Sequence, residues 1–435
     1  MEMITPTNEQ SRSSIVPMAI VAMLFFILGF ATWLNGSLMP YLKQILQLSP
    51  FQASLILFSF YIAVTFTALP SAWVIRKVGY KNGMALGMGV MMVAGLLFIP
   101  AAQTQVFALF LLAQLVMGAG QTLLQTAVNP YVVRLGPEES AAARVSVMGI
   151  LNKGAGVIAP MVFTALILDS FKDRVGTTLT QVQIDEMAAS LIYPYLGMAI
   201  FIGILAVAVK KSPLPELDKD AEDEHSGQGQ IKQALAHPNL VFGIIALFVY
   251  VAVEVIAGDT IGTFALTLGV KNYGVMTSYT MLCMVLGYTL GIICIPRFIS
   301  QPNALMLSAI LGLILTAGIV FGDNNSYMIA NTLLVPFGGA YLPDTLLMIA
   351  CLGLANAIVW PAVWPLALSG MGKLTSTGSA LLIMGIAGGA FGPLFWGLTS
   401  SATSLGMQGG YMVMFPCYCF ILFYAVKGYK IKSWK

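Results

Sequence analysis

Charge is scarce in this chain: of 435 residues, 9% are Asp, Glu, Lys or Arg, while 58% are hydrophobic. Soluble globular domains carry roughly 25% charged residues, so this scarcity excludes that class. Histidine is scarcer still. His225 and His237 are the two present, and both lie in the one long polar stretch. No HExxH, GxSxG or paired-acid motif falls inside an apolar block, which argues against a membrane-embedded enzyme. The five cysteines (Cys283, Cys294, Cys351, Cys417 and Cys419) lie in or beside apolar stretches of the second half, with no CxxC and histidine set. Small, reduced, buried thiols are expected there, and no metal site. The net charge of +3 gives no reason to expect a nucleic-acid partner. There is also no basic start followed by a short apolar core and a small-residue cleavage site. The first apolar block is therefore expected to be retained as a membrane span.

What is abundant is apolar length. Twelve blocks approach or exceed the roughly 20 residues a helix needs to cross a bilayer. They run at about 16–42, 51–75, 83–102, 106–133, 145–168, 190–209, 240–269, 276–299, 304–322, 343–368, 375–400 and 409–428. Between the sixth and seventh lies ELDKDAEDEHSGQGQ, charged and without aromatics, which reads as a flexible linker. The expected fold is an all-α polytopic membrane protein with twelve transmembrane helices in two six-helix bundles. Residues 1–209 form the first bundle, 210–239 the linker and 240–435 the second. Residues 326–342 are partly apolar, and the sequence leaves open whether they extend the tenth helix or lie at the membrane interface.

The positive-inside rule orients the chain. With both termini cytoplasmic, sixteen Lys and Arg fall inside and four (Lys43, Lys172, Arg174 and Lys271) outside, leaving Lys153 within the membrane. The halves also resemble each other. GAGVIAP (Gly154–Pro160) in the fifth helix aligns with IAGGAFGP (Ile386–Pro393) in the eleventh, placing Gly156 on Gly389. LLQTAVNP (Leu123–Pro130) in the fourth aligns with LANAIVWP (Leu354–Pro361) in the tenth, placing Gln125 on Asn356. Two matches at nearly one offset point to a parallel repeat of the major facilitator kind. The loop AWVIRKVGYK after the second helix (Arg76, Lys77, Gly79, Lys81) resembles that superfamily's loop signature, with Arg76 where an acid is usual. Its physical content is a tight turn at Gly79, with cations near a helix C-terminus.

Polar groups inside the spans are the informative residues, because an Asp or Lys at a helix centre costs roughly 2.5 to 3.5 kcal/mol to insert. Asn35 lies in the first helix, and Asn152 and Lys153 in the fifth. Gln114, Gln121, Gln125 and Asn129 follow a helical face of the fourth. Amides both donate and accept hydrogen bonds, which suits a ligand of many hydroxyls. Asn356 and the aromatics Trp33, Tyr61, Trp360 and Trp364 are further candidates, the rings offering flat faces for C–H edges. Glycines in the fourth helix (Gly118, Gly120) and in the eleventh (Gly378, Gly385, Gly388, Gly389, Gly392) allow close, sliding contacts.

The stretch FFILGFATWLN with LMPYLK, then QTLLQTAVNPYVVRLGPEESAAARVS, then Asn152, resembles the fucose/glucose/galactose:cation symporter family of the major facilitator superfamily. TAVNPYVVRLGPE (Thr126–Glu138) is the most specific part. The resemblance implies a monomeric importer of a hexose or deoxyhexose (glucose, galactose, fucose or mannose), coupled to H+ or Na+, in a bacterial cytoplasmic membrane. No cofactor is implied beyond that ion. It also implies sugar-facing roles for Asn35 and Asn152; Gln121, Gln125, Asn129, Asn356 and Trp360 are the further sugar contacts expected from the amide and aromatic pattern itself. An uncoupled sugar facilitator and an exporter of drugs or metabolites remain alternatives; exporters favour apolar pockets over amides.

The chain departs from the family at two acids. Fucose:proton symporters of the family carry an Asp after the first-helix Asn and a Glu before the NP of the fourth. Here these are Gly36 and Gln125. Coupling is then expected at the remaining membrane charges, Glu254, Asp259 and Lys153. Asp259 is the more individual acid, since Glu254 matches a Glu common in the family. The sequence allows Lys153 to neutralise Asp259 across the two halves. If the topology is right, protease added to right-side-out vesicles will leave the linker at Glu222–Gly229 intact, and cleavage there would reverse the orientation.

Overall fold

The computed structural model describes residues 8–134, 141–167, 171, 179–215, 228–295 and 297–434. Lys172, Arg174, Lys219 and Lys435, the Leu135–Glu138 end of the family stretch and linker residues 216–227 lie outside them. Among the described residues, twelve helices are long and apolar enough to cross a membrane. In chain order they are Val16–Ile45, Pro50–Ala68, Tyr80–Thr104, Phe107–Asn129, Val147–Leu166, Gln181–Lys211, Pro238–Asp259, Tyr273–Cys294, Gln301–Phe321, Asp344–Leu368, Thr377–Ala402 and Gly406–Val426. They are called the first to twelfth spans below. In hydrocarbon each backbone amide must find its partner within the protein, and a helix supplies it within the segment.

Helix ends follow local chemistry. Ser49 and Gln52 form a reciprocal capping box ahead of Pro50, which opens the second span. That helix ends at Gly79, whose φ of 84° suits a residue without Cβ. Its N–H returns to the Ile75 carbonyl at 2.8 Å, so the tight turn read from the loop motif is present. Residues 326–342 do not extend the tenth span. They form short turns at Ala330–Leu334 and Val335–Phe337 before Pro343. The Asp344 carboxylate holds this segment, accepting from the Ser326 hydroxyl and from the Met328, Ile329 and Ala330 amides.

With twelve spans among the described residues, the start of the first and the end of the twelfth fall on one face, called the terminal face below, together with the end of the sixth and the start of the seventh. The two bundles meet along the first and seventh spans, the second and eleventh, and the fifth and eighth. The last two pairs are exchanged by the repeat: Gly156 of the fifth span abuts Met281 of the eighth, and Gly389 of the eleventh abuts Tyr61 of the second. The halves are joined from mid-membrane to the face opposite the termini. Ser37 donates to the Gly274 carbonyl at 2.5 Å, Tyr273 to Gln44 at 3.2 Å and Ser278 to the Val157 carbonyl at 2.6 Å.

The seventh span is interrupted at Thr260 and resumes over Ile261–Thr267. Carbonyls beside the interruption are taken by hydroxyls. Thr260 donates to Ile256, Thr277 to Gly258 and Thr280 to Ala257. The first span crosses here very closely. A Cβ at Gly262 would stand 3.0 Å from the Gly36 carbonyl, and one at Gly258 would stand 2.7 Å from the Trp33 ring. A Cβ at Gly36 would overlap the Thr277 hydroxyl in the other half. Position 36 therefore cannot carry a side chain while this face is packed. Overpacking costs about 1 to 3 kcal/mol, so Gly36→Ala is expected to shift the protein away from this arrangement. Spin labels at Gln47 and Asn272 should report a longer distance in the variant, and an unchanged distribution would refute the crowding.

Candidate functional site

The centre of the molecule is a charge pair between the halves. Lys153 of the fifth span and Glu254 of the seventh meet at 2.5 Å, both nearly buried. The ammonium also stands 4.3 Å from the centroid of the Trp33 ring, a cation–π contact from the first span. Tyr250, one turn from Glu254 on the same face, and Tyr288 of the eighth span both lie beside the carboxylate. The sequence considered Lys153 against Asp259, whereas the structure pairs it with Glu254. Lys153 and Glu254 share one depth, and Asp259 sits about 7.5 Å further along its helix.

Asp259 is completely buried. One of its carboxylate oxygens accepts a long hydrogen bond, 3.4 Å, from the Tyr61 hydroxyl of the other half. Its other oxygen, Oδ1, has no hydrogen-bond partner. Both acids of the seventh span are thus held by side chains of the opposite bundle, as the five-residue spacing permits: they face different neighbours.

The amide face of the fourth span changes character along its length. Gln114 is 1% exposed and donates to Asn35 Oδ1 at 2.8 Å. Gln121 is 6% exposed and donates to the Thr32 hydroxyl at 2.5 Å. Gln125 is half-buried and Asn129 exposed. Accessibility therefore rises toward the face that carries the termini. Asn152, half-buried, reaches the Phe25 carbonyl at 3.4 Å. Asn35, Gln114 and Gln121 are engaged inside their own bundle, although Asn35 Nδ2 and Gln121 Oε1 remain without partners.

In the other bundle the tenth span carries Trp360 and Trp364, half-buried and stacked at 5.4 Å, with Tyr250 6.3 Å from Trp360. Asn356 lies away from this wall: it is fully buried and accepts from Tyr418 of the twelfth span at 2.8 Å. Trp33 is 2% exposed and enclosed by Gly156, Gly258 and Lys153. Sequence reasoning did not single out Tyr250, Tyr288, Thr277 or Thr280. The signals were the i, i+4 spacing of Tyr250 to Glu254 and the hydroxyl-rich TSYT that opens the eighth span.

At the terminal face the loop motif is a structural joint. Lys81 donates to the Ser212 carbonyl at 2.6 Å, tying the second-to-third turn to the end of the sixth span. Lys77 lies 3.7 Å over the Trp73 ring, and Arg76 is exposed.

Two helical bundles that meet along three pairs of spans, with charges bridged at mid-membrane, define a secondary-transporter architecture and no enzyme. A family model described as Major Facilitator Superfamily matches residues 21–393. The chain belongs to that superfamily, and within it to the fucose/glucose/galactose:cation symporter family. It is 31% identical over 434 residues to a glucose/galactose transporter of Brucella abortus, covering 98% of this chain and 97% of that protein. It is 28% identical over 417 residues to the L-fucose-proton symporter of Escherichia coli, covering 90% and 89%. The crystal structure of FucP in the outward conformation superposes with a TM-score of 0.66 at 24% identity, over 95% of this chain and 99% of that one.

Removing one partner of a buried ion pair strands the other, at a cost of about 3 to 5 kcal/mol. Lys153→Met should therefore lower the melting temperature in detergent more than Lys153→Met with Glu254→Gln does. Equal losses would show that the two charges are not energetically coupled.

Proposed function

We propose that this protein imports a monosaccharide, a hexose or deoxyhexose, across a bacterial cytoplasmic membrane by cation-coupled symport with alternating access. The observation that carries the sugar reading is that one bundle offers accessible amides and the other accessible aromatic faces. Gln125, Asn152 and Asn129, each half-buried or exposed, stand on one bundle, and the half-buried rings of Trp360, Trp364 and Tyr288 stand on the other. Hydroxyls pair with amides, and the apolar face of a pyranose covers an indole. The names of the relatives, glucose/galactose transporter and L-fucose-proton symporter, agree with this chemistry.

Residues 1–209 and 240–435 act as the two rocking bodies, with 210–239 as a cytoplasmic linker, and the protein works as a monomer. With the termini cytoplasmic, the packed face is the outer one and the arrangement faces inward. Asp259 then lies on the sealed side of the ion pair and is reached when the outer face opens, which is where an imported cation is taken on. The acids usual at positions 36 and 125 are Gly and Gln, so neither site carries a proton. The ion of first choice is H+, with Na+ the other candidate. Glu254 and Lys153 transmit the charge state between the halves.

Asn152→Ala and Gln125→Ala should each weaken sugar binding by about 1 to 3 kcal/mol, the cost of a buried hydroxyl left without its partner. Unchanged affinity in well-folded variants would move the cavity elsewhere. Asp259→Asn should abolish accumulation of sugar in proteoliposomes while sparing exchange between equilibrated compartments, because exchange needs only reorientation of the loaded carrier. The assay is run with a pH gradient and, separately, a Na+ gradient. Undiminished accumulation in the variant would remove Asp259 from coupling. Gradient-independent uptake by the wild type would favour an uncoupled facilitator.

A further inference from the structure

On the outside of the first bundle a groove of about 580 Å³ runs between the third and sixth spans. Its floor is built from small residues, Ala85 and Gly89 on one helix and Ala206 on the other, with Val78, Leu86 and Val207 as walls. Nothing lies within 4 Å of where a Cβ on Gly89 would point. The groove ends deeper in the membrane, where the Met92 sulfur packs over Gly203. From Asn82 to Gly89 it is about 10 Å long. Its mouth, at the face that carries the termini, holds Asn82 and Lys210.

The mouth is cationic. Lys210 lines it, and Lys211, Arg76 and Lys77 are exposed at the adjoining helix ends. The Lys81 ammonium already donates to the Ser212 carbonyl, which fixes the two helix ends relative to each other. An open apolar groove on the outer side of the bundle, with a lysine at its mouth and further cations beside it, has the polarity of one lipid molecule. We propose that this groove binds an anionic phospholipid, its phosphate on Lys210 and Lys211 and the first part of one acyl chain over Gly89. Basic pockets between spans on the cytoplasmic side select anionic head groups in this way. The acidic linker is the competing occupant for the lysines. Its segment 216–227, ELDKDAEDEHSG, has only Leu217 and Ala221 to offer an apolar floor, so it cannot fill the groove.

The test is native mass spectrometry of the full chain with phosphatidylglycerol or phosphatidylcholine of identical acyl chains. One phosphatidylglycerol should be retained in preference to phosphatidylcholine. Lys210→Gln should lower that retention about fivefold, the contribution of one lysine near an anionic surface. Gly89→Leu should block the floor and lower retention of phosphatidylglycerol with all cations in place. Val207→Trp, on the exposed wall, repeats this should Gly89→Leu fail to fold, and unchanged melting temperatures certify the variants. Equal retention of both lipids, or retention unaffected by either kind of substitution, means ordinary annular lipid and overturns the proposal. Retention that emerges only after Glu222, Asp223 and Glu224 are neutralised assigns the mouth to the linker and overturns it as well.

Discussion

The Lys153–Glu254 pair is the constraint around which the molecule is arranged. Neither charge is tolerable alone at mid-membrane, where the translocon scale places each several kcal/mol uphill. Each residue belongs to a different bundle, so satisfying them electrostatically is the same act as holding the bundles together. Trp33 lays its ring against the ammonium, and Gly156 and Gly258 leave room for that ring. Any state in which the bundles separate at this depth must supply both ions with water or with new partners.

Much of the fold was legible because the bilayer leaves few choices. Span length follows from solvation, and the twelve spans found among the described residues lie where the apolar blocks are. The turn at Gly79 was legible from local chemistry. Pairing across the bundles was not. Helical periodicity shows that Gln114, Gln121, Gln125 and Asn129 share a face, yet it does not show what opposes each. Two of them meet Asn35 and Thr32 within their own half, and two are open to the terminal side. The pairing of Lys153 depended on depth along the membrane normal, which a residue number encodes only once tilt and register are known. Asn356 matches Gln125 in the repeat but meets Tyr418, because equivalent backbone positions in the two halves have different neighbours. The segment 330–337 carries apolar residues without a span's length, and its form rests on one carboxylate, Asp344.

The absence of an acid at position 36 has a steric counterpart. The space an Asp side chain would enter is occupied by Thr277, whose hydroxyl is committed to the Gly258 carbonyl. Residues 36 and 277 therefore form one unit across the bundles. The carboxylates buried here are instead Glu254 and Asp259, both on the seventh span.

The threonines around the interruption at Thr260 bear on how fast such a protein can turn over. A helix that bends in hydrocarbon ordinarily uncovers carbonyls, and each uncovered group adds to the activation barrier. In the seventh span the carbonyls of Ile256, Ala257 and Gly258 already share hydroxyl donors, two of them from the neighbouring eighth span. The interrupted segment and its neighbour are thereby joined into one piece by hydroxyl-to-carbonyl hydrogen bonds. The height of the reorientation barrier falls to the contacts between bundles, and the hinge itself adds little friction.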